Sequence, residues 1–255
     1  MVQLKTDTSI EAMREAGRVV AQVLAAARKA AAVGVSLREL DEVAREVLRE
    51  AGAGSPFLHY KPHFAPTPFP GVICASVNDA IVHGIPAGQR LRDGDLVSID
   101  AGATLGGWVG DSAISFTVGR ARPADTRLID TAFEALEAGI AAAVVGNRIG
   151  DIAHAIGTVC RTAGYGIPEG FGGHGVGRSM HEDPAVPNEG RPGRGMPLRH
   201  GMVLAIEPML IGSGRDAFHP DRDGWTLRTS DGSRAAHAEH TVAITDAGPR
   251  ILTAL

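Results

Sequence analysis

The sequence has little cysteine. Cys74 and Cys160 stand far apart, in no metal-ligand spacing and with no framework for disulfides. That suits a reducing compartment and argues against a disulfide scaffold. There is no excess of one charge either: the net charge is −4, which leaves no electrostatic footprint for nucleic acid or an acidic membrane. Nowhere does an uncharged apolar run reach the length needed to span a bilayer. Lys5, Asp7, Glu11, Arg14, Glu15 and Arg18 interrupt the N-terminal region, so it does not read as a signal peptide. These absences predict a cytoplasmic chain with no membrane or nucleic-acid partner. Its 255 residues, 44% hydrophobic and 21% charged, can bury a sizeable core.

What the chain does contain is a copy of itself. Val33-Gly34-Val35-Ser36-Leu37-Arg38-Glu39-Leu40 resembles Val145-Gly146-Asn147-Arg148-Ile149-Gly150-Asp151-Ile152. Ala51-Gly52-x-Gly54-x-Pro56 recurs as Ala163-Gly164-x-Gly166-x-Pro168. Leu91-Arg92-x-Gly94 with Leu96-Val97-x-Ile99-Asp100 recurs as Leu198-Arg199-x-Gly201 with Val203-Leu204-x-Ile206-Glu207. The offset is too long for a solenoid and indicates two related halves joined near Arg120–Pro123.

Each half opens with helices. Thr8-x-x-Glu11 is a capping-box pattern ahead of Ile10, Met13, Val20, Val23 and Leu24; Ser36-x-x-Glu39 is a second, with Gly52 as its stop. Pro123 suits the first turn of a third helix, and Ile149, Ile152, Ile156 and Val159 mark a fourth, ending near Gly164. Strand-like segments follow at 72–77, 96–101, 108–118, 202–211 and 238–245. Helices and then antiparallel strands, twice over, predict one α+β domain with internal pseudo-symmetry.

The acids fall where charge is least expected. Asp100 closes the apolar run Leu96-Val97-Ser98-Ile99. A two-residue turn at Leu105-Gly106 would pair Thr104 with Gly107 and Asp100 with Asp111, putting both carboxylates on one face. Taken singly, each Asp is an ordinary turn or surface residue. The repeat changes that weighing, because Glu207 holds in the second half the position of Asp100 in the first. Glu239 precedes a further apolar strand, Thr241-Val242-Ala243-Ile244. Four carboxylates at strand positions are costly unless metal holds them, and a di-metal cluster is the simplest resolution. His174, among glycines in Phe171-Gly172-Gly173-His174-Gly175-Val176-Gly177, supplies one nitrogen. Such a hard, oxygen-rich donor set suits Mn, Fe, Co or Zn. His83-x-x-Pro86 and His181-x-x-Pro184 form a related pair that could flank a substrate without binding metal. His59, His63, His154, His200 and His219 have no such context.

With these residues in hand, the chain closely resembles type I methionine aminopeptidases of the pita-bread fold. The matching stretches are 76–86 (Ser-Val-Asn-Asp-Ala-Ile-Val-His-Gly-Ile-Pro), Ser98-Ile99-Asp100-Ala101-Gly102, Gly110-Asp111, Gly173-His174-Gly175-Val176-Gly177-Arg178 and His181-Glu182-Asp183-Pro184. They continue with Ile206-Glu207-Pro208-Met209, Asp223-Gly224-Trp225-Thr226 and Glu239-His240-Thr241. The resemblance covers essentially the whole chain. It implies a single catalytic domain over residues 1–255, with pseudo-symmetric halves of roughly 1–121 and 122–255 around an antiparallel sheet. It implies two divalent metal ions (Co, Mn, Fe or Zn) on Asp100, Asp111, His174, Glu207 and Glu239, with Asp111 and Glu239 bridging. Glu207 would also shuttle a proton, while His83 and His181 would contact substrate. Cys74, Tyr60, Phe69, Met180 and Trp225 fall where the family builds its methionine pocket; on packing grounds alone each is an ordinary core residue. The implied partners are nascent polypeptide N-termini, with the ribosome as a candidate site of action, and the implied state is a monomer.

Three departures stand out. The Pro-rich segment 61–68 is longer than its family counterpart and bears on the pocket lip, and with it on Tyr60 and Phe69. His59 replaces a small residue, and Met180 an aromatic. His237-Ala238 ahead of Glu239 is unusual. Among other readings, Xaa-Pro-cleaving relatives carry a further N-terminal domain not seen here, and a non-catalytic relative would lack ligands. Gly172-x-x-x-x-Gly177-Arg178-Ser179 resembles a phosphate loop, but no helical pattern follows it.

Overall fold

The computed structural model describes residues 2–63 and 65–255. Helix α1 (Asp7–Ala30) is followed by α2 (Leu37–Glu50), β1 (Ile73–Val77), β2 (Ala80–Val82), β3 (Asp95–Leu105) and β4 (Trp108–Val118). The second half runs α3 (Pro123–Ala142), α4 (Ile149–Thr162), β5 (Gly172–Gly175), β6 (Glu182–Pro187), β7 (Val203–Ile206) and β8 (Met209–Ile211). It closes with β9 (Phe218–Pro220), β10 (Leu227–Thr229), β11 (Ala235–His237), β12 (His240–Thr245) and β13 (Gly248–Ile251).

Local chemistry explains the helix starts. Ser36 and Glu39 form the expected capping box, with the Glu39 N–H donating to Ser36 Oγ at 3.2 Å and the Ser36 N–H to Glu39 Oε2 at 2.8 Å. The cap of α1 is Thr6, not Thr8: Thr6 Oγ1 accepts the Ser9 N–H, which brings Asp7 into the first turn against the helix dipole. Glu11, freed from capping, pairs with Arg250.

Antiparallel sheets carry the site. One has the order β1-β3-β4 and another β13-β12-β7-β5-β6; β2-β10-β9 and β11-β8 complete the set. The repeat is visible in the backbone. The bridges Ser36↔Arg90 and Gly54↔Thr104 in the first half recur as Arg148↔Pro197 and Gly166↔Ile211 in the second, at matching offsets. The halves meet where Ala113 of β4 bridges Glu239, the Glu239 N–H donating to Ala113 O at 3.0 Å. One apolar cluster centres on α1, α2 and β3 and a second on α3, α4 and β7, each burying large side chains such as Leu40 and Leu136 completely. Truncating either to Ala would cost about 2–5 kcal/mol.

Three expectations about the strands need correction. The β3–β4 turn is Gly106-Gly107, with φ of 58° and 76°, so Leu105 pairs with Trp108, Gly102 with Asp111 and Asp100 with Ala113. A tight hairpin turn of this hand needs positive φ at both central positions, which two glycines supply and Leu105 would not. Asp100 and Asp111 are therefore diagonal rather than directly opposed, yet still on one face. The segment 202–211 is not one strand: β7 joins the five-stranded sheet, β8 leaves it to pair with β11, and Glu207-Pro208 stands at the break. Pro208 has no N–H to continue a ladder. Likewise, the strand expected over 238–245 begins at His240 and leaves Glu239 just ahead of it.

Candidate metal centre

Asp100 comes from β3, Asp111 from β4, His174 from β5, Glu207 from the break after β7, and Glu239 from the step into β12. All five line one cavity of about 320 Å³. The backbone behind them is tied across the two halves. The Asp111 N–H donates to Thr241 Oγ1 at 3.0 Å, and that hydroxyl donates back to Asp111 O at 2.7 Å. The carbonyl of Glu207 accepts from Asn188 Nδ2 at 2.9 Å. Strand β5 is squeezed between its neighbours: a Cβ on Gly173 would lie 2.0 Å from Ala205 O, and one on Gly175 2.2 Å from Asp183 O. This crowding is why His174 is set among glycines. Its Nδ1 lies 2.9 Å from Gly175 O, a carbonyl that can only accept. The proton is therefore on Nδ1, and the Nε2 lone pair faces the acids, 3.8 Å from Asp111 Oδ2 and 3.6 Å from Glu207 Oε1.

The electrostatics are those of a site built for a cation. Asp111 and Glu239 are only 4% and 2% exposed. Asp100 Oδ1, Asp111 Oδ1 and Glu239 Oε1 are buried with no hydrogen-bond partner. Burial, and then the other carboxylates, push Asp111 and Glu239 well above the usual carboxylate range. Burial raises Asp100 to about 7, with the His237 charge opposing and Glu207 adding to the rise, and it raises Glu207 to about 8. Four acids crowded this way cannot all ionise by themselves; a divalent cation compensates them and gives the orphaned oxygens a partner. Ligand atoms of Asp111, His174 and Glu239 lie within 4.8 Å of one another, as do those of Glu207, His237 and Glu239. The donor set fits a metal.

The remaining expected residues line the same cavity: His83, His181, Cys74, Tyr60, Phe69, Met180 and Trp225. His181 stacks at a tilt on His174, with centroids 4.3 Å apart, and its other neighbour is Tyr60 at 5.5 Å. His83 adopts φ 61° and stands edge-on to Phe171 and Trp225. Burial, then the His237 and His181 charges, lower His83 to about 4; burial lowers His181 as well. Both are neutral hydrogen-bonding groups near pH 7. Burial and the nearby carboxylates push the Cys74 thiol up, so it stays protonated and apolar in character.

The Pro-rich lip holds Tyr60 and Phe69 at the cavity. The Phe69 N–H donates to Tyr60 O at 2.9 Å and the His59 N–H to Phe69 O at 2.8 Å, closing the segment at its base. Trp225 Nε1 donates to Thr67 O at 2.9 Å, and Gly224 lies so close to Pro66 that a Cβ would meet it at 2.3 Å. Phe64 lies outside the described residues. His59 has φ 65°, which gives a backbone reason for expecting a small residue there. None of His59, His63, His154, His200 and His219 lines the cavity. Sequence reasoning missed Phe57, Phe171, Gly172 and Met209 in the lining, and His237 beside the acids. His237 was findable, since it shares strand parity with Glu239. Among the described residues no helix is long and apolar enough to cross a membrane.

Comparison with known proteins agrees with this chemistry. The model of metallopeptidase family M24 matches residues 11–246. The chain is similar to methionine aminopeptidase 1 of Mycobacterium tuberculosis (strain CDC 1551 / Oshkosh), 53% identical across 99% of the chain and 95% of that protein. It is 45% identical to the methionine aminopeptidase of Clostridium acetobutylicum, over 99% of each. The crystal structure of methionine aminopeptidase from Thermotoga maritima superposes with a TM-score of 0.95 over the full length of both chains, at 38% identity.

Proposed function

The chain belongs to metallopeptidase family M24, and we propose that Asp100, Asp111, His174, Glu207 and Glu239 hold two divalent cations in it while His83 and His181 face the substrate. The enzyme is a metal-dependent aminopeptidase of the pita-bread fold that removes N-terminal methionine from polypeptides. The observation that carries the ligand assignment is the convergence of three buried carboxylates, a fourth half-buried one and one lone-pair-forward imidazole on a single cavity.

When bound, the cations supply Lewis-acid polarisation of the scissile carbonyl and lower the pKa of water enough to make it a nucleophile at neutral pH. Asp111 and Glu239, the most deeply set acids, would be the residues shared between the ions. Glu207, lining the cavity with Oε1 toward His174, takes the proton released by the attacking water and delivers it to the leaving amine. His181, beside His174, donates to the oxygen that gains charge. His83, against Phe171 and Trp225, contacts the scissile amide. Cys74, Phe69, Met180 and Trp225 make an apolar slot for an unbranched thioether, with Tyr60 at its exposed edge. A long second side chain would meet the cavity wall, so small uncharged second residues are preferred. The oxygen-rich donor set with one nitrogen suits Mn, Fe, Co or Zn. On this reading the enzyme is a cytoplasmic monomer acting on nascent chains, with the ribosome as its place of encounter.

The test is hydrolysis of Met-Ala-Ser by metal-stripped and metal-restored protein. Activity should vanish and return; near-normal turnover in a rigorously stripped sample overturns the reading.

A further inference from the structure

His237 ends β11, two residues before Glu239, and is 2% exposed. Its backbone is clamped to β4: the His237 N–H donates to Ser115 Oγ at 3.0 Å, and Ser115 Oγ donates to His237 O at 2.7 Å. Its Nε2 is buried without a hydrogen-bond partner. That atom lies 3.4 Å from Glu207 Oε2 and 3.8 Å from Glu239 Oε2. Glu207 is thus flanked by imidazoles, with Oε1 toward His174 and Oε2 toward His237. The two imidazoles differ in one respect. His174 lines the cavity with the four acids assigned to the metal, whereas His237 does not line it. Its nitrogen is within 4.8 Å of ligand atoms of Glu207 and Glu239, so it sits beside both carboxylates without forming part of the cavity lining.

We propose that His237 is a positioning residue for the metal centre, its Nε2–H serving as the donor that orients the carboxylates of Glu207 and Glu239. The proposal rests on the ligand assignment above. A buried N–H 3.4 Å from Glu207 Oε2 and 3.8 Å from Glu239 Oε2 favours the carboxylate rotamers that keep those oxygens toward it, and it offsets part of the acids' mutual repulsion without taking a coordination position. An imidazole in that place with its lone pair forward would instead be a second nitrogen ligand, and the experiment separates the two.

Co²⁺ is titrated into metal-free wild type, His237→Gln and His237→Leu, with affinity read by calorimetry. Imidazole N–H protons shifted by the bound Co²⁺ are counted by NMR in H₂O. Gln retains an N–H donor; Leu does not. The expected result is a 10–100-fold loss of Co²⁺ affinity in His237→Leu, the usual scale for losing an outer partner of a ligand. His237→Gln should stay within about threefold of wild type, and one shifted imidazole proton, that of His174, should persist throughout. If His237→Leu fails to fold, His237→Met makes the same comparison. Undiminished affinity in the Leu or Met variant overturns the proposal, and so does equal weakening by Gln. Two shifted imidazole protons in wild type, one of them lost in His237→Gln, would make His237 a ligand and overturn it as well. Co²⁺ binding that Asp111→Asn leaves untouched would instead sink the ligand assignment, whatever His237 does.

Discussion

The floor and the lip of the cavity are built in different ways. On the floor each acid belongs to a strand or a strand end, and two of them are pinned from the other half, Asp111 by Thr241 and Glu239 by Ala113. The backbone at those two cannot shift without breaking the joint between halves. The lip is a Pro-rich segment closed at its base by Tyr60 and Phe69 and clipped to the Asp223–Thr226 turn by the Trp225 indole. A floor of this kind fixes chemistry. A lip of this kind can vary its length without disturbing that chemistry, and here it delivers Phe69 and Tyr60 to the cavity.

The sharpest way to break this division is to damage the floor. Asp111→Asn keeps the size of the side chain but removes the charge proposed to serve both cations. Turnover should be abolished and bound metal reduced, as read by elemental analysis beside a peptide assay. Retention of both would show that the floor is not the chemical centre. Next in size are the two histidines that face inward without joining the acids. Ala at His83 or His181 should cut kcat by about 10²-fold or more, the usual scale for a lost acid–base or oxyanion group, with metal content unchanged. Loss of an ion from either variant would transfer that histidine to the ligand set.

A smaller effect follows from pH in the metal-free protein. Asp100 and Glu207 are raised in the fold to about 7 and about 8, so in that state they hold protons the unfolded chain has released, and their contribution to stability falls as pH rises toward 8. His83 and His174 are lowered to about 4, which works the other way: their contribution rises with pH up to the ordinary histidine value near 6.5. The opposing slopes offset each other below that value. Between about 6.5 and 8 only the carboxylates act, so the Tm of the stripped protein should decline there by several degrees, given roughly 2–4 °C per kcal/mol for a chain of this size. Added divalent metal should remove the decline. A flat profile without metal would mean the acids are better solvated than their burial indicates.

Legibility in the sequence follows the same division. The floor could be read because its signals are local or repeated: an acid after an apolar run, twice, and a histidine among glycines. Its register could not, since the Gly106-Gly107 turn, rather than the strand pattern, sets which residue opposes Asp111. The break at Glu207-Pro208 was hidden because apolar residues continue on both sides, and only the tertiary arrangement sends β8 to another partner. Short strands such as β2, β9 and β10 have three residues each, too few for a period to register. His237 was passed over because its neighbour Glu239 already accounted for the segment. On the lip, Trp225 and Phe69 came from resemblance alone, and nothing in their spacing predicts that they meet edge to face at 5.1 Å.

The mildest test sharpens the division from the lip side. Trp225→Phe keeps an aromatic ring beside Phe69 and removes the Nε1–H that Thr67 O accepts. A net hydrogen bond contributes about 0.5–1.5 kcal/mol. If that bond seats the lip against the first side chain of the substrate, kcat/KM for Met-Ala-Ser should fall about 2- to 10-fold. Discrimination should soften as well. An apolar pocket gains only about 1–3 kcal/mol per methylene, so leucine at the first position already has a modest barrier to cross, and a loosened lip lowers it. The measurement is a tripeptide panel varied at the first two positions, run on wild type and Trp225→Phe, with metal affinity determined on the same preparations. Met-Ala, Met-Gly and Met-Ser peptides should lead the wild-type panel, and the Met-to-Leu ratio should narrow in the variant while Co²⁺ affinity holds steady. A variant that instead loses metal would show floor and lip to be one mechanical unit. Preferred cleavage of Xaa-Pro peptides by wild type would leave the metal site as argued and contradict the slot assigned to Cys74, Met180 and Trp225.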